Sequence, residues 1–355
     1  MLTEAQKKET IQTLIQHADC YPQMEPTDAV KLLYQNEFAG GHLITDESAC
    51  INWLKQECDS VQPLARAAES LGNGIVRIHL SDVKQKGYSL RSIARCFMNT
   101  ARTHQGNQTA FREKLELLNR LTQTGEFSFT NDTFQTYLKR YIETGCPPVR
   151  HSPVFRQCYH PAYRVINERY IRLLPLIKSV DDLLKKQNRV VLAIDGRCAS
   201  GKTTAAEMLA FLWNAPVVHM DDFFLPSELR TSERLNEPGG NVHYERFQDE
   251  VLPGLRVGGQ ISYRKFDCST LQYSEVIHIP PSSVVIVEGA YCLHPRFGDY
   301  ADQSVFFHIT PDEQIQRIKE RNGLEMAKLF QDKWIPMEEK YFSEFELQKK
   351  VNLMI

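Results

Sequence analysis

Five aliphatic residues, Val190, Val191, Leu192, Ala193 and Ile194, run straight into Asp195-Gly196-Arg197-Cys198-Ala199-Ser200-Gly201-Lys202-Thr203-Thr204. The spacing G-x-x-x-x-G-K-T, behind an apolar strand and ahead of an amphipathic helix, predicts a loop that cradles phosphate. Gly196 and Gly201 let the backbone curl so that the amides of the Ala199, Ser200 and Thr204 region turn toward phosphate oxygens. Lys202 brings a positive charge to the β- and γ-phosphates, and the Thr203 hydroxyl is placed to ligate Mg²⁺. The positive end of the following helix adds to the pull on the anion. A glycine-rich turn that happens to precede a lysine is the plain alternative, but it leaves the flanking strand and helix unexplained. The expected ligand is a nucleoside triphosphate, with Mg²⁺.

The chain has 355 residues, enough for two domains with separate cores. A net charge of −2 offers no basic field for nucleic acid. The nine cysteines are odd in number and form no C-x-x-C pair, which argues against a disulfide framework or a zinc site and suits a reducing cytoplasm. The N-terminus is polar rather than signal-like, and aliphatic runs stop at about five residues, far short of a membrane span. The expected partner is therefore a small molecule, not nucleic acid or a membrane.

Two regions differ in pattern. Residues 1–187 read as a mostly α-helical domain. Ile11, Leu14 and Ile15 share one helix face, and Ala29, Leu32, Leu33 and Phe38 share another, with Thr27 or Asp28 as its N-cap. Helices are expected at 89–104 and 108–121, and a turn at Gly72-Asn73-Gly74. Residues 75–80 fit a strand or the start of a buried helix. Ile166, Tyr170, Leu173, Leu174 and Ile177 predict a long helix from about Pro161, kinked or broken at Pro175. Residues 188–355 instead alternate strands and helices: strand 190–195, helix 202–213, strands at 217–220, 275–279, 283–288 and 304–309, and helix 311–321. That order predicts an α/β domain with a mainly parallel sheet flanked by helices, and a ligand at the strands' carboxyl ends.

Two further strands end in acids at that edge. Val217-Val218-His219-Met220-Asp221-Asp222 places two carboxylates one sheet position from the phosphate loop, and Val284-Val285-Ile286-Val287-Glu288-Gly289 places a third. Any one of them could simply cap a turn. Together with the loop they form a set suited to phosphoryl transfer, where one carboxylate accepts the acceptor's proton and another serves Mg²⁺.

With these motifs, the region from about Arg189 to Ile355 resembles the uridine kinase, phosphoribulokinase and pantothenate kinase group of small-molecule P-loop kinases. The resemblance is carried by G-R-C-A-S-G-K-T-T, H-M-D-D-F-F, V-I-V-E-G, the segment from Thr310 to Arg321, and the terminal Val351-Asn352-Leu353-Met354-Ile355. It implies that Asp221 is the catalytic base, with Asp222 as the alternative. It also implies that Glu288 lies near Mg²⁺ and that Arg317 and Arg321 are lid arginines covering the phosphates.

The chain departs from that group where the acceptor is read. His243 stands nearest the position of a ribose-gripping aspartate. Phe266-Asp267 is followed by Cys268-Ser269-Thr270-Leu271-Gln272, without the histidine and arginine that clamp a base. Tyr263, Arg264 and Lys265 precede the pair and suit an acidic or phosphorylated acceptor, or simply an exposed edge strand. Uridine is therefore not the expected acceptor. In the first half, Glu37 to Leu43 sets a glycine pair beside His42. Residues 146–164 gather Arg150, His151, Arg156, His160, Tyr163 and Arg164 around a proline-rich turn. Arg150, His151 and Tyr163 are read as contributors to the acceptor pocket, with ordinary helix packing as the alternative. Metal binding by His42, His151 and His160 matches no known spacing. The reading is a cytoplasmic, ATP- and Mg²⁺-dependent kinase of a small-molecule hydroxyl. Its rivals are a nucleotide-dependent switch, which lacks the guanine-reading N-K-x-D, and a bifunctional enzyme with separate N-terminal chemistry.

Overall fold

The computed structural model describes residues 1–44, 46–63 and 67–355. It divides into two compact units, Met1–Leu174 and Pro175–Ile355. The composition change read from the sequence lies near residues 184–188. No helix among the described residues is long and apolar enough to cross a membrane.

The first unit is mostly helical: α1 (Glu4–Cys20), α2 (Pro26–Phe38), α3 (Glu47–Ser60), α4 (Leu80–Lys86), α5 (Leu90–Thr103), α6 (Gln108–Leu121), α7 (Asn131–Glu143) and α8 (Pro153–Tyr159). These surround a small antiparallel sheet of β1 (Ala68–Gly72), β2 (Ile75–His79) and β3 (Tyr163–Asn167), with β2 in the centre. Gly72, Asn73 and Gly74 all have positive φ, the conformation that a tight β1–β2 turn needs and that Gly and Asn tolerate. The core is aliphatic and aromatic, with Leu14, Leu32, Phe111, Leu118 and Phe134 fully enclosed.

Three expectations for this unit need correction. The segment 75–80 is both things in turn, strand β2 to His79 and then helix α4 from Leu80. The helix expected from about Pro161 begins only at Arg169, as α9 (Arg169–Leu184), because residues 163–167 pair with β2 in the register Val76↔Ile166 and Ile78↔Arg164. Cross-strand pairing with a buried strand outweighs a helical spacing that Val165 and Ile166, both β-branched, support only weakly. Pro175 lies inside α9 without ending it. Finally, α2 is capped by Glu25 rather than Thr27 or Asp28. Pro26 takes the first helical position, and the Asp28 carboxylate accepts from the Glu25 amide at 3.1 Å.

The second unit is built on a parallel sheet. β4 (Val190–Gly196) is followed by α10 (Lys202–Trp213), β5 (Val217–His219), α11 (Ser232–Asn236), α12 (Tyr244–Glu250) and α13 (Leu252–Val257). Then come β6 (Ile261–Asp267), β7 (Gln272–Ile279), β8 (Val284–Glu288), β9 (Gln303–Phe307), α14 (Pro311–Leu329), α15 (Ile335–Glu344), α16 (Leu347–Lys350) and β10 (Leu353–Met354). The five-stranded order is β10-β9-β4-β8-β5, every pairing parallel. All seven residues of β4 are buried, as an apolar strand covered by helices on both faces requires. Residues 275–279 do not belong to this sheet. They lie in β7, which pairs antiparallel with β6 as a separate hairpin. β5 is not the immediate neighbour of the phosphate-loop strand either, because β8 lies between them and puts Glu288 closer in the sheet than Asp221 and Asp222.

Candidate active site

The loop after β4 is shaped by its glycines. Gly196 has φ +137°, and a Cβ there would lie 2.2 Å from the Phe307 carbonyl oxygen of β9, so only glycine fits. Gly201, at φ +96°, caps α10. Lys202 folds back across the loop, its Nζ donating to the carbonyls of Gly196 (2.7 Å) and Arg197 (2.8 Å). The Ser200 hydroxyl is buried and has no hydrogen-bond partner among the described residues. The N-terminus of α10, a lysine and an unmatched hydroxyl at this loop fit a phosphate group.

Beside the loop, the Thr203 hydroxyl donates to Glu288 at 3.3 Å, and His219 Nδ1 donates to the same carboxylate at 2.5 Å. That bond holds the His219 pKa above its ordinary value. Asp221 follows β5 directly and opens onto the cavity. The protein atoms crowding its carboxyl, and next the Glu288 carboxylate, push its pKa upward against the pull of Lys202. Asp222 points the other way. It is buried, and Tyr263 Oη donates to its Oδ2 at 3.0 Å. Its pKa is also raised by burial, with the Tyr263 bond opposing.

Lys202, Thr203, Asp221 and Glu288 converge on one cavity of about 440 Å³. Tyr291, Leu329, Phe330 and Trp334 add apolar surface to its lining, with Arg321 and Lys333 supplying positive charge. Arg317 reaches the loop as well, donating to the Ala199 carbonyl at 3.2 Å while pairing with Glu313. The other residues read as acceptor contacts are engaged elsewhere. His243 caps α12, accepting from the Arg246 amide. Arg264 is exposed and stacks on the Tyr273 ring at 4.5 Å. Asp267 closes the β6–β7 turn by accepting from the Ser269 amide at 2.7 Å. In the first unit, His151 and Tyr163 are bonded to each other at 2.7 Å and line a cavity of that unit together with Arg150.

Two acidic residues that support the loop were missed from the sequence. Asp195 is fully buried and accepts from the amides of Gly196 (2.7 Å), Tyr291 (3.2 Å) and Leu293 (3.0 Å), and from Tyr341 Oη (2.9 Å). It fastens the phosphate loop to the segment after β8 and to α15. Burial raises its pKa, with these bonds opposing. Glu338, on α15, accepts from the Cys198 amide at 2.9 Å, and neighbouring Glu339 pairs with Arg197. The only local signal for either was an acid in a buried strand or an apolar helix face.

Burial pushes Glu338 up to about 7, with Lys202 the main opposing influence. Between the ordinary carboxylate pKa of ~4.3 and about 7, the folded chain retains a proton that the unfolded chain has lost. Stability therefore falls as pH rises through that window and levels off above it. Glu338→Gln removes this dependence. Its urea midpoint should fall less than that of the unsubstituted protein across the window, and equal slopes would show that Glu338 does not carry the effect.

No family model matches the chain. A curated relative, uridine kinase-like protein 4 of Arabidopsis thaliana, is 25% identical over 146 residues. The aligned stretch is 39% of this chain and 31% of that protein, so the chain spans about a third of its relative. The chain resembles the uridine kinase group. Among solved structures, a possible uridine kinase from Bacillus stearothermophilus matches at 22% identity and a TM-score of 0.38, covering 51% of this chain and 99% of that one. A putative fructose transport system kinase from Silicibacter sp. TM1040 matches at 20% and 0.41, covering 50% and 97%. Shikimate kinase from Bacteroides thetaiotaomicron matches at 18% and 0.26, covering 47% and 85%. The second unit carries a five-stranded parallel sheet with a glycine-shaped loop between β4 and α10.

Proposed function

We propose that the second unit is an ATP- and Mg²⁺-dependent phosphotransferase acting on a hydroxyl of a small molecule. The observation that carries this reading is the convergence of Lys202, Thr203, Asp221 and Glu288 on one cavity beside the phosphate loop. The loop amides and Lys202 bind the phosphates, Lys202 exchanging two neutral carbonyl partners for charged oxygens. Asp221, with its raised pKa, takes the proton of the acceptor hydroxyl. Arg317, already on the loop, and Arg321, on the cavity wall, cover the transferring group. Asp222, held by Tyr263, positions the turn that carries Asp221.

Among the described residues no cluster of three or more His, Cys, Asp or Glu could hold a metal by itself. A Thr203 hydroxyl beside one carboxylate, Glu288, fits Mg²⁺, which takes few protein ligands and completes its shell with water and phosphate oxygens. When bound, Mg²⁺ neutralises charge on the phosphates. We assign a cytoplasmic setting, which suits an odd number of cysteines with no C-x-x-C pair.

The apolar surface of Tyr291, Phe330 and Trp334 is suited to the non-reacting body of the acceptor. Uridine and cytidine should be poor acceptors, since Asp267 is spent on its own turn and no histidine–arginine clamp follows it. We expect their kcat/KM to lie below ~10⁴ M⁻¹s⁻¹, the lower end for ordinary enzymes. The measurement is ADP release with uridine, with cytidine and with a small-molecule cell extract. Stimulation by the extract but not by the nucleosides supports the reading, and efficient uridine turnover would refute this part of it.

A further inference from the structure

A second cavity, of about 550 Å³, lies wholly within the first unit. α2, α8, β3 and the adjacent pair Arg150 and His151 supply most of its wall. Its charged lining is one-sided, with Lys31, Arg150, Arg156 and Arg164 facing a single acid, Glu57. Glu57 is already spent, gripped by Arg164 through two bonds of 2.9 Å. Lys31, Arg150 and Arg156 have no carboxylate within ion-pair distance among the described residues, and Lys31 has only the Val149 carbonyl at 3.0 Å.

The floor beneath these cations is fixed by buried polar groups. His151, 8% exposed, bridges Asp28 Oδ1 and Tyr163 Oη at 2.7 Å each. Arg77 lies over the Tyr163 ring at 4.6 Å and donates to Gln35 Oε1 and Glu69. The Asp28 carboxylate is consumed by His151 and by the amides of Ser152 and Glu25. Burial pushes His151 down to about 4, so it is neutral near pH 7 and adds no charge. Burial, and next the Arg77 guanidinium, lowers Lys31 to about 8, with Arg150 adding to the effect. Positive charge is thus concentrated around a concave, preformed floor with no acid left to answer it.

We propose that this cavity is a binding site for a small phosphate-bearing molecule, of the phosphomonoester class, separate from the phosphate loop. Three spare cations exceed what a monocarboxylate can neutralise. A phosphomonoester carries about −1.5 to −2 charges and three acceptor oxygens. The guanidinium fork matches phosphate in two-bond geometry, and Lys31 supplies a point charge beside it. Tyr163 Oη lies on the same wall, and Pro161 and Leu43 offer apolar surface to the rest of the ligand. The site rests on no part of the kinase reading, since every residue in it belongs to the first unit.

The test uses the full chain carrying Lys202→Ala, which weakens phosphate binding at the loop equally in every sample. Calorimetry with inorganic phosphate, with glycerol phosphate and with acetate is run on this background and on the same chain with Arg150→Gln and Arg156→Gln added. Both arginines are exposed, so their replacement leaves the fold intact, which circular dichroism checks. We expect glycerol phosphate to bind the background protein, acetate not to bind, and the double replacement to weaken binding by roughly 10-fold or more, as loss of charge-assisted bonds implies. Retained phosphate affinity in the double variant overturns the proposal. So does the absence of phosphate binding at millimolar concentration, or acetate binding as tight as that of phosphate.

Discussion

Asp221→Asn is expected to lower kcat by roughly 10²-fold or more, the usual scale for loss of a general base, while ATP affinity and fold stay intact. The reasoning begins with the chain's path. β5 ends at His219, and the short helical turn from Met220 to Phe223 sends successive side chains in different directions. Asp221 emerges into the cavity with Lys202 and Glu288, whereas Asp222 turns inward to Tyr263. Asparagine keeps the size and most of the polarity of Asp221 but cannot take a proton. Asp222→Asn preserves an acceptor for Tyr263 and should cost far less. Steady-state kinetics on the two variants decide the matter. A crippled Asp222→Asn beside a nearly normal Asp221→Asn would reverse the assignment.

Lys202→Ala should weaken ATP binding by about 10- to 100-fold. That range follows from the ~1.5–3 kcal/mol carried by hydrogen bonds to charged groups, at about 1.4 kcal/mol per factor of ten. Lys202 is 8% exposed and bonded to the loop's own carbonyls, so alanine also leaves those two acceptors without a partner. Calorimetry in the presence of Mg²⁺ measures the loss. Unchanged affinity would mean that nucleotide binds away from this loop.

What could be read in advance was local. The phosphate loop is a contiguous run whose glycines, lysine and threonine are spaced by the backbone alone, and α10 begins and ends where its periodicity does. The interactions that brace the loop were not legible, because they join residues far apart in sequence. Asp195 meets Tyr341, and Cys198 meets Glu338, each across about 140 residues or more. β3 was hidden for a related reason. Residues 163–167 fit a helical spacing with Tyr170 and Leu173, and only the neighbouring β2, far upstream, makes the strand the better structure. Likewise the apolar alternation of residues 275–279 shows that a strand exists but not which sheet it joins, and its partner proved to be β6. Arg264 and Asp267 were candidates by type, yet a ring to stack on and a turn to close occupy them.

The central claim is that this cavity moves a phosphoryl group from ATP to a small-molecule hydroxyl. Its most direct test is to incubate the full chain with γ-labelled ATP, Mg²⁺ and a pool of small metabolites, then separate the labelled products. The account predicts label in a new organic phosphate ester, formed by the unsubstituted protein and nearly absent with Asp221→Asn. Label found only in inorganic phosphate, or an ester formed equally well by Asp221→Asn, would contradict it.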